Sequence, residues 1–431
     1  MTAIKSVTGR RIWDSRGNPT VEVDVQLENG KIGRGIAPAG ASRGTREAID
    51  LRDGTVALQG KGVQQALDQV NGPIAEMLIG QNAKDQSEID NLLITLDGTP
   101  LKSKLGGNAM VASSLAVLHA AAADAEEPLW QYVANQYDCT PSIPLPEIQI
   151  FGGGAHAGRR VDIQDFMIMV PGANSFNEVM EITNEVYFAA GSIMEQKGNL
   201  AGVADEGGWW PVFQSNEEAL ETLTSAIELA GEKPGERVVI SLDVAASEFG
   251  QNGKYRLALE DREMDSGDLI DMLEKWIDAY PIASIEDPVG EDDRDGMIEF
   301  TRRFDDRIQI IGDDYLVTNA GLVETAAHDH ACNAVLIKVN QAGTVTEAID
   351  TFRQARKHGW GTIVSARSGE TEDVFISHLS TGLGGGQLKV GSFTRSELMA
   401  KWNECLRIQD SLGAQAFVGG EPLKHTWWGR Q

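Results

Sequence analysis

The chain has 431 residues, of which 64 are acidic and 37 are lysine or arginine, giving a formal net charge of −27. Such a charge opposes binding to nucleic acids and anionic membranes, and we expect neither as a partner. The composition, 42% hydrophobic and 23% charged, is typical of a globular protein. No apolar run approaches the roughly 20 residues of a bilayer span, and the first residues lack a signal-peptide pattern, so we expect a soluble, cytoplasmic protein.

The first part of the chain predicts a small sheet followed by helices. Residues 21–27 alternate apolar and polar side chains after the turn-rich segment 14–19, which indicates a half-buried strand. Residues 35–45 are rich in glycine and small side chains and form either a mobile lid or a plain connector. Helical patterns follow near 86–96 and 108–124. We place a domain boundary between 135 and 136, which divides the chain into 1–135 and 136–431.

From about residue 165 onward, short apolar segments alternate with amphipathic helical stretches. This alternation is typical of a parallel sheet flanked by helices. With a less regular portion before residue 200, about eight strands are present, enough to close an α/β barrel. The predicted strands are 166–170, 238–242, 282–285, 308–311, 334–337, 362–365 and 387–390.

Charged residues stand where these strands end. In a parallel barrel all such ends lie on one face, where the loops build the active site. Three of the residues are acids on successive strands, an oxygen-rich set that suits Mg²⁺, although any one of them alone could be a loop residue or a helix cap. The six residues are Asp243, Glu286, Asp313, Lys338, Arg367 and Lys389.

The basic members of this set indicate proton chemistry and phosphate binding. Neighbouring cations lower the pKa of a lysine, which favours Lys338 or Lys389 as a base beside the metal. The combination suggests abstraction of a proton next to a carboxylate, with Mg²⁺ stabilising the enediolate. Arg367, Ser368 and Gly369 form either a phosphate-binding turn or an ordinary capped turn.

Nearly the whole chain resembles the enolase family, through motifs that are highly specific in combination. The resemblance implies an α+β capping domain before an eight-stranded ββαα(βα)6 barrel, and a homo-oligomer, either a dimer or an octamer. The motifs include Asp14-Ser15-Arg16-Gly17-Asn18-Pro19, Gly40-Ala41-Ser42, Asp205-Glu206-Gly207-Gly208, Ser284-Ile285-Glu286-Asp287-Pro288, Lys338-Val339-Asn340-Gln341 and Arg367-Ser368-Gly369-Glu370.

The resemblance also implies two Mg²⁺ ions and a small phosphorylated carboxylic acid as substrate. Ser42 in the lid, together with the substrate phosphate, would complete the second metal site, and Arg367 and Ser368 would bind that phosphate. The first metal site would be formed by the strand-end acids Asp243, Glu286 and Asp313.

The resemblance also implies catalytic roles for four residues, two of which are the strand-end lysines. Lys338 would remove the C2 proton of 2-phosphoglycerate, and Glu206 would protonate the departing 3-hydroxyl. Lys389 would help to hold the substrate carboxylate. His156 corresponds to the histidine of the family's mobile loop.

Several positions depart from the family pattern. Ala366 stands where enolases carry a histidine, and Asp165 stands where they carry a glutamate that assists at the leaving-group side. Ala39 replaces a serine of the lid, and the bulky pair Trp209 and Trp210 follows the Asp205-Glu206 motif. Because a displaced group costs much in rate, we expect weaker expulsion of hydroxide and an enlarged pocket.

Our first interpretation is an enzyme diverged toward condensation. It would bind 2-phosphoglycerate or phosphoenolpyruvate and present its oxygen to a nucleotide-activated phosphonate, as do the carboxyphosphonoenolpyruvate synthases of phosphonate biosynthesis, which are enolase relatives. The alternative is an ordinary phosphopyruvate hydratase. A third hypothesis is an inactive relative that serves as a binding protein, although every inferred metal ligand and both lysines remain.

Overall fold

The computed structural model describes residues 2–431 and begins with a three-stranded antiparallel sheet. Strand β1 (Ile4–Trp13) pairs with β2 (Pro19–Leu27), which pairs with β3 (Ile32–Ile36). The predicted alternation is present, since Val21, Val23, Val25 and Leu27 are fully buried. These side chains form one face of the sheet, and helices cover that face.

Five helices follow the sheet, and the alanine-rich α4 packs directly against β2 and β3. Gly33 and Gly35 permit this approach, because a Cβ on either would lie 2.1 Å or 2.3 Å from a backbone atom of α4. The predicted helical segments fall within α3 and α4. The helices are α1 (Gln64–Gln69), α2 (Ala75–Leu78), α3 (Gln86–Asp97), α4 (Gly107–Ala125) and α5 (Leu129–Tyr137).

The remaining strands form a closed eight-stranded barrel and a small antiparallel sheet, β7–β9, inserted between β6 and the following helix. Each strand predicted from the sequence begins and ends within two residues of the corresponding barrel strand. In chain order they are β4 (Leu145–Gly152), β5 (Asp165–Met169), β6 (Val239–Asp243), β7 (Gly250–Gln251), β8 (Lys254–Leu257), β9 (Arg262–Asp265), β10 (Ile282–Glu286), β11 (Gln309–Gly312), β12 (Ala334–Ile337), β13 (Gly361–Ser365) and β14 (Gln387–Ser392).

Helices connect these strands and begin at polar caps. The Ser175 and Ser215 side chains each accept a hydrogen bond from a backbone N–H of the first turn, and Asp265 and Asp268 form a capping box. None of the described helices is both long and apolar enough to cross a membrane. The helices are α6 (Phe176–Gln196), α7 (Asn216–Leu229), α8 (Ser266–Ala279), α9 (Arg294–Phe304), α10 (Ala320–Asp329), α11 (Val339–Ala342), α12 (Val345–Lys357), α13 (Phe375–Leu383) and α14 (Ser396–Leu412).

The order of these elements confirms the predicted ββαα(βα)6 barrel. Strand β5 runs antiparallel to both of its neighbours, whereas the other neighbouring barrel strands are parallel. Because β5 is reversed, its first residue, Asp165, pairs with Asp243, the last residue of β6. The reversal therefore places Asp165 on the face formed by the carboxyl ends of the parallel strands.

A buried layer of polar side chains fills the barrel interior beneath that face. Gln387 donates to Glu147 at 2.6 Å, Gln309 donates to Gln387 at 2.7 Å, and Ser241 donates to Glu147 at 3.1 Å. Burial raises the pKa of Glu147 to about 7. Gln387 lies two residues before Lys389 on β14, so this layer directly supports the site above it.

Candidate active site

The six strand-end residues predicted from the sequence converge at one mouth of the barrel. They are the last residues of β6 and β10, residues just after β11, β12 and β13, and a residue within β14. Each of them is more than nine-tenths buried: Asp243, Glu286, Asp313, Lys338, Arg367 and Lys389. Because charges without partners are costly in a buried site, their pairing determines what each residue can do.

Lys389 lies among carboxylates. Its Nζ is 2.8 Å from Asp243 Oδ2, 2.8 Å from Glu286 Oε2 and 3.4 Å from Asp165 Oδ2. Burial opposes its charge, but the carboxylates outweigh burial and hold the pKa of Lys389 well above its ordinary value. Lys389 therefore remains a cation, suited to holding an anion rather than to removing a proton.

Lys338 is paired with a single acid, since its Nζ donates to Asp313 Oδ2 at 2.5 Å. Burial, the largest single influence, lowers the pKa of Lys338, as do Arg367 and Lys389. Asp313 and Glu286 raise it, and the net pKa is raised. Burial opposes ionisation of Asp313 in turn, yet Lys338 holds its pKa below the usual value. The lowered lysine pKa predicted from the sequence is therefore wrong for Lys338 in this pairing, because a carboxylate in direct contact outweighs more distant cations.

These acids offer the oxygen ligands of a divalent-cation site, but their oxygens are held apart in this structure. Among the described residues, the carboxylate oxygens of Asp243, Glu286 and Asp313 are not all within 4.8 Å of one another. The two lysines bind these acids instead. Glu286 Oε1 is buried and lacks a hydrogen-bond partner in residues 2–431. An unpartnered carboxylate oxygen in a buried acidic site is a suitable ligand for Mg²⁺.

Two amides that the sequence analysis left without a role orient these acids. Gln164 Nε2 donates to Asp243 Oδ2 at 3.0 Å, and Gln341 Nε2 donates to Asp313 Oδ1 at 2.8 Å. Gln164 directly precedes Asp165, and Gln341 ends the Lys338-Val339-Asn340-Gln341 motif, which was the available signal. Such neighbours fix a carboxylate in place whether or not a metal is bound.

Asp287 was also overlooked, although it follows Glu286 directly. Its two carboxylate oxygens accept hydrogen bonds from the backbone N–H groups of Asp313 and Asp314. Burial and the Asp313 charge raise the pKa of Asp287 to about 8. Asp287 thus anchors the backbone that presents Asp313.

At the other end of the cavity, His156 and Glu206 come together, with 3.4 Å between His156 Nε2 and Glu206 Oε1. Gln149 Nε2 donates to Asp165 Oδ1 at 2.5 Å, and Gln149 Oε1 accepts from the Gly208 N–H at 2.9 Å. Burial raises the pKa of Glu206, although His156 opposes the shift. A carboxyl with a raised pKa retains its proton closer to neutrality and can act as an acid. The sequence analysis did not identify Gln149 as a site residue. The available signal was its polar side chain within β4, which is buried throughout.

The lid loop, residues 37–45, contacts the turn after β13. Ala39 and Gly369 exchange two backbone hydrogen bonds, and the Ala41 N–H donates to Ser368 Oγ at 2.8 Å. Arg367 Nη2 donates to the Ser42 carbonyl at 3.0 Å. These contacts across the barrel mouth favour the interpretation of residues 35–45 as a lid over that of a plain connector.

The cavity beneath the lid is small, about 20 Å³ in volume. Its lining includes Ser42, His156, Asp165, Glu206, Lys338 and Ala366. The lid residues Gly40, Ala41 and Ser42 and the two lysines border this space, and the enlarged pocket expected from the sequence stays a prediction. A substrate enters only if these groups move.

The pair Trp209 and Trp210 does not line this catalytic cavity. Trp209 stacks on Tyr187 with 4.7 Å between ring centroids and donates from Nε1 to the Tyr187 carbonyl at 2.8 Å. We expected this pair to alter the access route, but Trp209 packs against α6 instead. Ala366 and Asp165 are the two departures that do face the cavity.

Comparisons with known proteins agree over both parts of the chain. Residues 4–133 match the model of the enolase N-terminal domain, and residues 140–426 match that of the enolase C-terminal TIM barrel domain. Enolase 1 of Desulfitobacterium hafniense (strain Y51) is 47% identical over 416 residues, which cover 96% of this chain and 95% of that protein.

Proposed function

The chain belongs to the enolase family, and on this basis we propose that it is a Mg²⁺-dependent hydratase converting 2-phosphoglycerate to phosphoenolpyruvate and water. The 47% identity to an enolase over 96% of the chain favours this activity over condensation. The single structural observation that supports it is that Lys338 and Glu206 line the same cavity. A candidate base and a candidate acid thus reach the same small substrate.

Each end of the cavity has its own task in this proposal. Lys338 removes the C2 proton as a neutral amine, after its ammonium group has left Asp313 and released one proton to solvent. Glu206, whose pKa is raised by burial, donates a proton to the departing 3-hydroxyl. Lys389 remains charged and holds the substrate carboxylate, and Arg367 with Ser368 binds the phosphate.

We assign the metal sites to the strand-end acids. Asp243, Glu286 and Asp313 would hold one Mg²⁺, and Ser42 would contribute to a second. The bound metal would supply positive charge that stabilises the anion left by proton removal. We further propose a cytoplasmic homo-oligomer, a dimer or an octamer.

Ultraviolet absorbance of the enol double bond tests the activity directly, without a coupling enzyme that itself needs Mg²⁺. Purified protein is mixed with 2-phosphoglycerate and Mg²⁺, and the rise in absorbance measures phosphoenolpyruvate. We expect steady formation, and none when EDTA is added before the substrate. Absence of Mg²⁺-dependent binding of 2-phosphoglycerate in calorimetry would instead support the inactive-relative hypothesis.

Condensation with a nucleotide-activated phosphonate remains a second candidate. The observation that favours it is that Ala366 and Asp165 both line the cavity. Asp165 lies at the end of the cavity that contains Glu206. Either change weakens assistance to the leaving hydroxide. Phosphorus NMR of a mixture with phosphoenolpyruvate, Mg²⁺ and the activated phosphonate would detect the condensed product, and its absence alongside fast hydration would exclude this candidate.

A further inference from the structure

A second cleft lies beside the catalytic cavity and carries an unusual concentration of positive charge. Its volume is about 740 Å³, and the lid residues Gly40 and Ala41 line both spaces. In a chain of net charge −27, this cleft is lined by two carboxylates, Asp50 and Asp205, against five cations. The cations are Arg16, Arg43, Arg52, Lys61 and Arg395.

Three of these cations are not neutralised by the protein. Arg16, Lys61 and Arg395 have no carboxylate oxygen within 4.0 Å in the part of the chain that the structure describes. Arg16 Nη2 donates to the Ala39 carbonyl at 2.9 Å, and Lys61 Nζ donates to Asn18 Oδ1 at 3.0 Å. Neutral acceptors leave the full positive charge in the cleft.

The other two cations share acids at longer range. Arg52 Nη2 is 3.2 Å from Asp50 Oδ2, and Arg43 Nη1 is 3.8 Å from the same oxygen. Arg43 Nε is also 3.6 Å from Glu47 Oε2, so Asp50 and Glu47 together neutralise these two guanidinium groups. Arg395 has a φ of 71°, which non-glycine residues rarely adopt, and it donates to the Ala204 carbonyl at 3.2 Å, beside Asp205.

We propose that this cleft is a binding site for a small molecule carrying two or more phosphate or phosphonate groups, separate from the catalytic cavity. A single phosphate would leave some of the three unpaired cations without a partner, whereas a polyanion satisfies several at once. The volume lies within the roughly 300 to 1,000 Å³ of small-ligand sites. The acidity of the rest of the chain disfavours a polynucleotide as the ligand. This inference does not depend on the proposed dehydration.

The cleft also adjoins the acid end of the catalytic cavity. Asp205 and Ala155 line the cleft, and their chain neighbours Glu206 and His156 line the cavity. A polyanion in the cleft would therefore lie against the outer face of the lid loop. We accordingly expect its binding to hold the lid in the closed position seen here.

Calorimetry with inorganic pyrophosphate, in EDTA and without 2-phosphoglycerate, tests the site independently of catalysis. We expect wild-type binding, and an affinity weaker by at least about tenfold in Arg16→Gln/Lys61→Gln, since both substitutions remove a charge-assisted hydrogen bond to the ligand. The control Lys254→Gln changes an exposed lysine outside the cleft and should bind as wild type. Absence of wild-type binding would overturn the proposal.

A further variant separates the cleft from the catalytic cavity. Lys338→Ala removes a cation of the cavity that does not line the cleft, and it should leave pyrophosphate affinity unchanged. If Lys338→Ala loses affinity while the cleft variant keeps it, pyrophosphate binds in the cavity and the inference is wrong. If thermal melting shows that the double variant does not fold, Lys61→Gln and Arg43→Gln are measured singly, and wild-type affinity in both would equally overturn the proposal.

Discussion

Arg367 Nη1 donates to Glu47 Oε2 at 2.9 Å, and the two side chains are only 3% and 1% exposed. This ion pair joins the turn after β13 to the segment just beyond the lid loop. Asn340 Oδ1 accepts from the same Nη1 at 3.1 Å. The guanidinium proposed to bind phosphate is thus positioned jointly by the N-terminal part of the chain and the barrel.

Replacing Glu47→Gln should therefore affect both stability and substrate binding. Loss of one partner leaves Arg367 as a buried charge with poorer compensation, which costs about 3 kcal/mol of unfolding free energy. Urea denaturation measures this loss. We also expect KM for 2-phosphoglycerate to rise about tenfold, because the guanidinium is no longer fixed. Unchanged stability and KM would show that the pair is not important.

Gly40→Ala should prevent the lid from closing as observed. A Cβ at residue 40 would lie 2.1 Å from Arg367 Nη2 and 2.7 Å from the Ser42 carbonyl. We expect KM to rise by about tenfold or more with little change in melting temperature, since the loop can move outward at small cost. The control Gly72→Ala places its Cβ with no atom within 4 Å and should behave as wild type.

Lys338→Ala should abolish turnover without unfolding the protein. Removal of a general base typically costs 10²- to 10⁴-fold, so we expect kcat to fall by at least about 1,000-fold. Asp313 also loses its partner, and a modest fall in melting temperature should accompany the change. The exposed Lys357→Ala is the control. Substantial remaining dehydration in Lys338→Ala would assign the base to another residue.

Ala366→His, alone or with Asp165→Glu, should increase dehydration of 2-phosphoglycerate. Both positions face the catalytic cavity, and both substitutions restore the side chains found in enolases. Because the cavity is only about 20 Å³, the imidazole also requires a small outward shift of the lid. Steady-state kinetics of the single and double variants, with Ala366→Ser as a size control, measure the effect. An unchanged kcat would mean that Ala366 is incidental.

Glu147→Gln should change how stability depends on pH. Burial raises the pKa of Glu147 to about 7, above the 4.5 of a free glutamate. A carboxyl whose folded pKa is raised stabilises the fold fully below its unfolded pKa, and this contribution is lost as pH rises through about 7. Glutamine remains neutral at every pH. The free energy of unfolding of the variant should therefore rise relative to that of the wild type by up to about 3 kcal/mol between about pH 5 and pH 8.

Urea denaturation at several pH values measures this gain, with the exposed Glu263→Gln as a control. The glutamine can keep both hydrogen bonds of the layer, since the Ser241 hydroxyl is able to accept as well as donate. Parallel stability curves for wild type and Glu147→Gln would contradict a raised pKa at this position.

Much of the barrel was predictable because buried parallel strands produce short apolar runs with a fixed relation to their polar ends. Asp243, Glu286 and Asp313 follow three such runs, so one rule about strand ends was enough to bring them together. The same rule does not identify Gln149 or Glu47 as residues of the site. Gln149 lies on the inner face of β4 among apolar residues, and Glu47 lies more than 300 positions before its partner Arg367.

The sequence by itself indicated a barrel of about eight strands and the mouth at which the charged residues collect, because periodicity and strand ends are local properties of the chain. The ββαα order of its first units was implied only by the resemblance to the enolase family. Only the tertiary structure decided which charge pairs with which. Asp313 raises the pKa of Lys338 although two other cations lower it, and five cations from distant segments meet in one cleft. Coulomb interactions fall off with distance and depend on burial, and neither quantity can be read from the order of residues.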